Sequence, residues 1–415
     1  MMKKVLLVLG VAVGLIIVVN QAKAQDKNLF MHGKVTTLSG DSYEGPIRWG
    51  TDEVYWMELF NAEKTSNDFL KHLSRKEREE LSEQEGESKS WLNLESIWID
   101  RTGGSTHRFD CRFGDIKSIE PVRGDRARLT LKNGVILEVY GGGTYEDVGT
   151  SVRVYDFELG EVPIKWSRIE KIDFYDPGTE PAKQFGEPIF GRVNAGRRGV
   201  FEGIIRWDRD ERFGHEELDG DGRNGRMEIP FRSITKIERG RDGANVTLKS
   251  GREYYLTGTN DVNSGNRGIY VYNHDIGEVV IPWKYFEEME VIAPDNIGLS
   301  YSEFPVSKGL SATVVTIEGD EYEGLIAFDI DEAWEFEILD GKDDDVVYKI
   351  PFRNIKSIVP RNSSYSNVTL RNGERLLLGD ERDVSSNNDG VLIFTSNDER
   401  PKRVRWSKID EIIFD

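Results

Sequence analysis

The chain has 415 residues, of which 55 are lysine or arginine and 74 are aspartate or glutamate, so its net charge is −19. An acidic chain repels nucleic acid and anionic lipid surfaces, which excludes both as partners. Cys111 is the single cysteine, so no intramolecular disulfide can form and stability must come from packing.

The chain starts with the three parts of a secretory signal peptide. Lys3 and Lys4 form a basic start, residues 5–19 are almost entirely apolar, and Ala22 and Ala24 suit positions −3 and −1 of a cleavage site. The apolar run is shorter than the about twenty residues that a membrane-spanning helix needs. We therefore expect a signal peptide over residues 1–24 and a mature chain without a membrane span, located in the periplasm, outside the cell or on its surface. An uncleaved anchor helix is the alternative.

After this leader, one pattern occurs three times. Each copy has a glycine turn, an aromatic-Glu-Gly step and an apolar strand, in residues 40–49, 199–208 and 319–329. Each copy then has a hairpin turn at Gly134, Gly251 or Gly373, because Asn-Gly and Ser-Gly accept positive φ at little cost. A tryptophan precedes the last strand of every copy; these are Trp166, Trp283 and Trp406.

Short alternating strands with frequent turns predict an all-β protein rather than a helical one. We expect three tandem repeat units, each built as two small β-barrels or a barrel-like pair. The first unit covers residues 25–176, with a helical insertion at about 61–100, the second covers 185–293 and the third covers 305–415.

Each half-unit resembles the small five-stranded barrels of the Sm-like and SH3-like class. In Sm-like proteins a glycine turn is followed by a strand with a Gly and an apolar-Asp step, and the last strand carries paired isoleucines. Gly199, Gly203 and Asp208 follow that order in the second copy, and Ile234 and Ile237 match the last strand. The matching residues of the third copy are Gly319, Gly324, Asp329, Ile355 and Ile358. The resemblance implies a fold and no function.

The residues that Sm-like proteins use to bind RNA are replaced in this chain. No Asn follows Asp208 or Asp329, and the Arg-Gly step before the last strand is replaced by residues 230–232 and 351–353. The resemblance therefore does not imply nucleic-acid binding.

The insertion in the first copy is the one long segment that the repeat does not explain. Ser74 and Glu77 form a capping-box pattern, and residues 75–85 are rich in helix formers. Trp91 and Trp98 follow and have no counterpart in the other copies, so we interpret them as candidate partner-binding residues, because Trp is enriched at interfaces. The alternative is a helical flap that covers one barrel end.

No catalytic, cofactor-binding or metal-binding pattern stands out. The five histidines are scattered and lack the spacing of zinc ligands. Residues 219–225 resemble a calcium loop, but Arg223 and Asn224 occupy positions that require Asp or Asn and then Gly, which favours a solvated hairpin loop. Cys111 aligns with isoleucines of the other copies, which predicts a buried thiol.

The recurring aromatic residues have two readings. Trp49, Trp207 and Phe328 end the second strand of each copy, and the three tryptophans before the last strand recur at matched positions. Repetition at matched positions favours core packing, and an exposed sugar-binding platform is the alternative.

These observations favour an exported, non-catalytic binding or scaffold protein of the cell envelope that needs no cofactor. Its partner would be a protein or an envelope polysaccharide. Two alternatives remain open: a glycan-acting hydrolase that uses a carboxylate pair, and a calcium-dependent adhesin. A single cleft with one perturbed carboxylate pair would favour the enzyme.

Overall fold

The computed structural model describes residues 28–84, 108–122, 124–141, 147–178, 185–293, 298–395 and 400–415. The strands in these residues fall into three groups of ten, which we call units 1, 2 and 3. Unit 1 contains β1 (His32–Thr37), β2 (Ser42–Trp49), β3 (Leu59–Lys64), β4 (Arg108–Arg112), β5 (Ile116–Pro121), β6 (Arg126–Leu131), β7 (Ile136–Tyr140), β8 (Val152–Asp156), β9 (Gly160–Ile164) and β10 (Ile169–Phe174). Unit 2 contains β11 (Ile189–Asn194), β12 (Val200–Trp207), β13 (Glu217–Gly222), β14 (Gly225–Pro230), β15 (Ile234–Arg239), β16 (Gly243–Leu248), β17 (Glu253–Thr257), β18 (Ile269–Asn273), β19 (Gly277–Ile281) and β20 (Glu288–Val291). Unit 3 contains β21 (Ser311–Thr316), β22 (Glu321–Phe328), β23 (Ile338–Asp343), β24 (Val346–Pro351), β25 (Ile355–Pro360), β26 (Tyr365–Leu370), β27 (Arg375–Gly379), β28 (Val391–Phe394), β29 (Lys402–Val404) and β30 (Ile409–Phe414).

The helical segments of the described residues are short. The α-helix α1 spans Arg75–Gln84. The 3-10 helices are Asp68–His72, Phe113–Asp115, Trp166–Arg168, Gly196–Arg198, Phe231–Ser233, Asn260–Val262, Tyr301–Glu303, Phe352–Asn354, Arg382–Val384 and Trp406–Lys408. No helix in the described part of the chain is long and apolar enough to cross a membrane.

All strand pairs are antiparallel, and the pairing order of unit 1 is β4-β3-β7-β6-β5-β10-β1-β2-β8-β9. The strands of units 2 and 3 pair in the corresponding order. Pairing of β19 with β24, which sets Glu278 opposite Lys349, joins units 2 and 3 into one sheet. The predicted all-β class is confirmed.

The described strands form no closed barrel, and within unit 1 the five strands β3 to β7 pair with one another while β1 and β2 pair with β8 and β10. The resemblance to Sm-like and SH3-like barrels, the division into repeat units and the unit boundaries stay predictions.

The predicted hairpins form because glycine adopts the left-handed conformation that their turns require. Gly134, Gly251 and Gly373 have φ values of 86°, 79° and 92° and lie between β6 and β7, β16 and β17, and β26 and β27. The register of each hairpin places alternate apolar side chains on the core face.

The recurring aromatic residues are buried, so their predicted place in the core is confirmed. In each unit the closing tryptophan lies edge-on against the aromatic residue that ends the second strand. The ring centroids are 6.0 Å apart for Trp49 and Trp166, 6.1 Å for Trp207 and Trp283, and 6.0 Å for Phe328 and Trp406. Such edge-to-face pairs are a favoured aromatic geometry. Cys111 is also fully buried, and burial raises the pKa of its thiol.

The described part of the insertion packs against unit 3, and the predicted flap over a barrel end stays a prediction. The capping box is confirmed, since Ser74 N–H donates to Glu77 at 2.8 Å and Glu77 N–H donates to Ser74 Oγ at 3.3 Å. Leu73 and Leu81 are buried in a cluster with apolar residues of unit 3; these are Ala327, Ile330 and Leu392. The predicted start of the insertion is also too early, because residues 61–64 belong to β3.

Candidate ligand-binding cleft

A cavity of about 940 Å³ lies where units 1, 2 and 3 meet. Unit 1 contributes the turn after β2 and the start of β8, unit 2 contributes side chains of β12, β18 and β19, and unit 3 contributes Lys349. Five carboxylates line it, namely Asp52, Glu53, Glu58, Asp147 and Glu278. Five cations also line it, namely Arg108, Arg153, Arg206, Arg209 and Lys349. We call this cavity the cleft.

Strand register shows which residues of units 2 and 3 correspond to the cleft wall. Trp49 pairs with Val152, as Trp207 pairs with Ile269 and Phe328 with Val391. The turn that follows each of these aromatic residues closes with the same bridge, which joins it to Glu53, Glu211 or Glu332. Gly50 of unit 1 therefore corresponds to Asp208 and Asp329.

In units 2 and 3 an ion pair occupies this position. Asp208 and Asp329 are buried, with left-handed φ values of 48° and 49°. Arg267 Nη2 donates to Asp208 at 2.9 Å, and Arg382 pairs with Asp329. A buried carboxylate needs such a partner, since an unpaired buried charge is strongly destabilising.

Unit 1 lacks both members of the ion pair found in unit 2. Gly50, with φ of 59°, replaces the aspartate, and Thr150 occupies the position of Arg267. Both residues line the cleft. Among the described residues of unit 1, the side chains that fill this place in unit 2 have no counterpart, and the cavity extends to this position.

Glu58 at the base of the cleft joins units 1 and 2. Its Oε2 accepts the backbone N–H groups of Val54 at 2.6 Å and Tyr55 at 2.8 Å. Its Oε1 accepts Nη1 of the fully buried Arg212 of unit 2 at 3.2 Å. Because each carboxylate oxygen is held, Glu58 fixes the junction rather than offering a free reactive group.

Several other carboxyl groups of the cleft have raised pKa values. Burial, followed by the charges of Asp147 and Glu58, raises the pKa of Glu53 well above its ordinary value. Burial raises the pKa of Asp147 to about 6, although the backbone N–H of Asn61 donates to its carboxylate at 2.6 Å. Burial also raises the pKa of Glu278 to about 7. Protonated carboxyls can donate hydrogen bonds as well as accept them.

The same raised pKa values recur where no cleft residue is involved. In unit 2, burial raises the pKa of Glu211 to about 9 and that of Asp261 to about 6. Asp261 also accepts a strand N–H, from Asp219 at 2.7 Å, just as Asp147 does. The pair of Glu53 and Asp147 in unit 1 thus recurs as Glu211 and Asp261 in unit 2. The raised pKa values of Glu53 and Asp147 therefore do not by themselves identify a catalytic pair.

The aromatic residues of the cleft differ in their accessibility. Trp49 is fully buried, and its indole N–H donates to the backbone oxygen of Asp147 at 2.9 Å, so it cannot act as a platform. Tyr270 is half-buried, and the guanidinium of Arg206 lies 5.1 Å from its ring centroid. Tyr270 therefore offers the partly accessible aromatic surface of this wall.

The structure describes some of the candidate site residues that were predicted from the sequence and not others. Trp91 and Trp98 lie outside the described residues, so their role as partner-binding residues stays a prediction. Residues 219–225 span the hairpin between β13 and β14, where Arg226 donates to Asp219 at 2.8 Å. In the described ranges, no three His, Cys, Asp or Glu side chains are grouped to hold a metal ion.

The cleft residues were not predicted from the sequence, although it carries two signals of them. An Asp-Val step recurs as residues 147–148, 261–262 and 383–384. Gly50 breaks an otherwise shared acidic position, but the break becomes visible only when the strands are aligned by register.

Comparisons with known proteins give no further guide to this cleft. No family model, no curated protein and no solved structure matches the chain.

Proposed function

We propose that this chain is an exported, non-catalytic binding protein of the cell envelope whose cleft holds a polar, polyhydroxylated ligand such as a segment of envelope polysaccharide. The single observation that carries the proposal is the open space at Gly50 and Thr150, where unit 2 has a buried ion pair.

The chemistry of the cleft supports a sugar ligand. Its volume of about 940 Å³ lies near the upper end of the range of about 300–1,000 Å³ for small-molecule sites. Guanidinium groups donate, ionised carboxylates accept, and the protonated carboxyls expected at Glu53 and Glu278 do both. Sugar hydroxyls also donate and accept, and an aromatic face such as that of Tyr270 can contact the apolar side of a sugar ring.

The open space of the cleft can be filled by giving unit 1 the ion pair that unit 2 has at this place. The double variant Gly50→Asp with Thr150→Arg introduces the ion pair of Asp208 and Arg267. Asp208 has nearly the same left-handed φ as Gly50, and the Thr150 Cγ2 atom that a Cβ at Gly50 would meet at 2.9 Å is removed by the second substitution. We expect this variant to fold and to lose at least about tenfold in affinity for any envelope glycan that the mature protein binds on an array or in calorimetry.

The matched control makes the same two changes outside the cleft, as Gly134→Asp with Thr130→Arg. Gly134 also has positive φ, and a Cβ placed there meets nothing within 4 Å. This control should bind as the unaltered protein does. Equal affinities of the closed and unaltered proteins would show that the cleft is not the binding site.

A glycan-acting hydrolase is the second candidate, because Glu53 and Asp147 are carboxyl groups with raised pKa values in an open cleft. It predicts glycan fragments from the unaltered protein and none from Glu53→Gln or Asp147→Asn. Binding without fragments favours the non-catalytic protein, which agrees with the recurrence of the Glu–Asp pair in unit 2.

A further inference from the structure

A glutamate at a matched position of each unit anchors the turn that precedes it. These residues are Glu58, Glu216 and Glu337. In each of them, Oε2 accepts two backbone N–H groups, from the residues three and four positions earlier in the chain, at distances from 2.5 to 3.0 Å. The other carboxylate oxygen, Oε1, is therefore left to bind a different group.

In units 1 and 3, this second oxygen binds a cation that comes from another unit. Arg212 of unit 2 donates from Nη1 to Glu58 Oε1 at 3.2 Å. Lys64 of unit 1 places Nζ 2.6 Å from Glu337 Oε1. All four side chains are at most 10% exposed. Two of the three matched glutamates thus join units through a buried ion pair.

An aspartate at a matched position completes both of these cation sites. The arginine in the site of unit 1 also donates to the backbone oxygen of Asp52, and the lysine in the site of unit 3 donates to that of Asp331 at 3.0 Å. Both aspartates directly precede the glutamate of the recurring bridge, so Asp210 is their counterpart in unit 2. Unit 2 thus has the same two acceptors, Glu216 and Asp210, which we call the Glu216 site.

The Glu216 site holds no cation from the described part of the chain. No lysine or arginine of these residues pairs with Glu216, in contrast to the matched glutamates of units 1 and 3. Arg267 pairs with the carboxylate of Asp210, whose side chain is 58% exposed. Glu216 itself is half-buried, and neither acceptor lines the cleft. The site is therefore accessible and lacks the cation that its two counterparts have.

Unit 3 has no basic residue at the two positions that supply cations in units 1 and 2. Ala333 stands at the position of Arg212, directly after the bridge glutamate. Asp343 stands at the position of Lys64, one residue beyond the strand pair that joins the third and seventh strands of the unit. The pattern that fills the first two sites therefore provides no third cation within the chain.

We propose that the Glu216 site binds a lysine or arginine side chain of a partner polypeptide. Both filled sites hold a basic side chain of a polypeptide, and both lie where two folded units meet. Hydrogen bonds between an ionised cation and a carboxylate are stronger than those between neutral groups. An accessible ion pair contributes little affinity by itself, so the site determines which side chain of the partner is placed there.

The test is a nuclear magnetic resonance titration of the isotope-labelled full mature protein at low ionic strength. The reporters are the amide signals of Arg212 and Phe213, because both N–H groups donate to Glu216 Oε2. The probe is the blocked tripeptide Gly-Lys-Gly, with norleucine in place of lysine as the neutral control. Saturable shifts with the lysine peptide alone support the site. Tighter binding of D-glucosamine than of the lysine peptide would overturn the assignment to a polypeptide.

Glu216→Gln should weaken binding of the lysine peptide by about tenfold or more, because it removes the charge and keeps an oxygen for the two N–H groups. Glu217→Gln is the matched control, since Glu217 is the exposed neighbour outside the site. The closed-cleft variant should bind the peptide normally, which separates this site from the cleft.

A second measurement uses the unaltered protein and does not depend on folding of a variant. Added salt should weaken binding of the lysine peptide, because salt screens an accessible ion pair. No saturable binding of the lysine peptide, binding that salt does not change, or equal losses in Glu216→Gln and Glu217→Gln would overturn the proposal.

Discussion

Trp283→Ala tests whether the recurring tryptophans support the core or bind ligand. Trp283 is 7% exposed, and its ring lies 6.1 Å from that of Trp207 and 5.2 Å from that of Phe286. An aromatic side chain buries about 150–250 Å². At about 25 cal/mol per Å², burial of most of that area stabilises the folded state by about 4–6 kcal/mol. Alanine retains part of it, so we expect a loss of about 3–5 kcal/mol in the free energy of unfolding, the usual range for such truncations.

The assay is urea unfolding of the mature protein followed by far-ultraviolet circular dichroism, because removal of a tryptophan alters the fluorescence itself. The loss should appear in the transition that includes unit 2. Val200→Ala in the same unit is the control, since Val200 is 57% exposed and should cost about 0.5 kcal/mol or less. A change below about 1 kcal/mol for Trp283→Ala, together with lost glycan affinity, would refute the core assignment.

Two further predictions concern buried charges. Lys64→Met should lower the free energy of unfolding, measured with urea, by about 3–5 kcal/mol. Lys64 Nζ lies 2.9 Å from Asp331 and 2.6 Å from Glu337, and its loss leaves both carboxylates without this ion pair between units 1 and 3. An unchanged urea midpoint would contradict this prediction. The pKa values of Asp147 and Asp261 are raised to about 6 in the folded state, so their contribution to stability is present below the unfolded pKa and is lost as pH rises through about 6. The urea midpoint should therefore fall between about pH 4 and pH 6, and Asp147→Asn should reduce that fall, whereas an equal fall in the variant would exclude Asp147 as a contributor.

The local features of this protein could be predicted from its sequence. Hairpin turns at Gly134 and Gly373 depend on a residue that accepts positive φ, and the capping box depends on Ser74 and Glu77, three residues apart. The burial of Trp283 followed from its recurrence at a matched position. Each of these features depends on near neighbours or on repetition within the chain, which a single sequence displays directly.

The arrangement of the units was decided only by the tertiary structure. Lys64 pairs with Asp331 across 267 positions of the chain, and Leu73 and Leu81 are buried against unit 3, which no periodicity indicates. The cleft likewise depends on three units meeting at one place, and its opening depends on the missing side chain of Gly50. A missing side chain leaves no positive pattern in a sequence, and the contacts between units follow from packing of whole surfaces. For that physical reason the sequence determined the strands and turns of this protein, and only the tertiary structure decided where a ligand could enter.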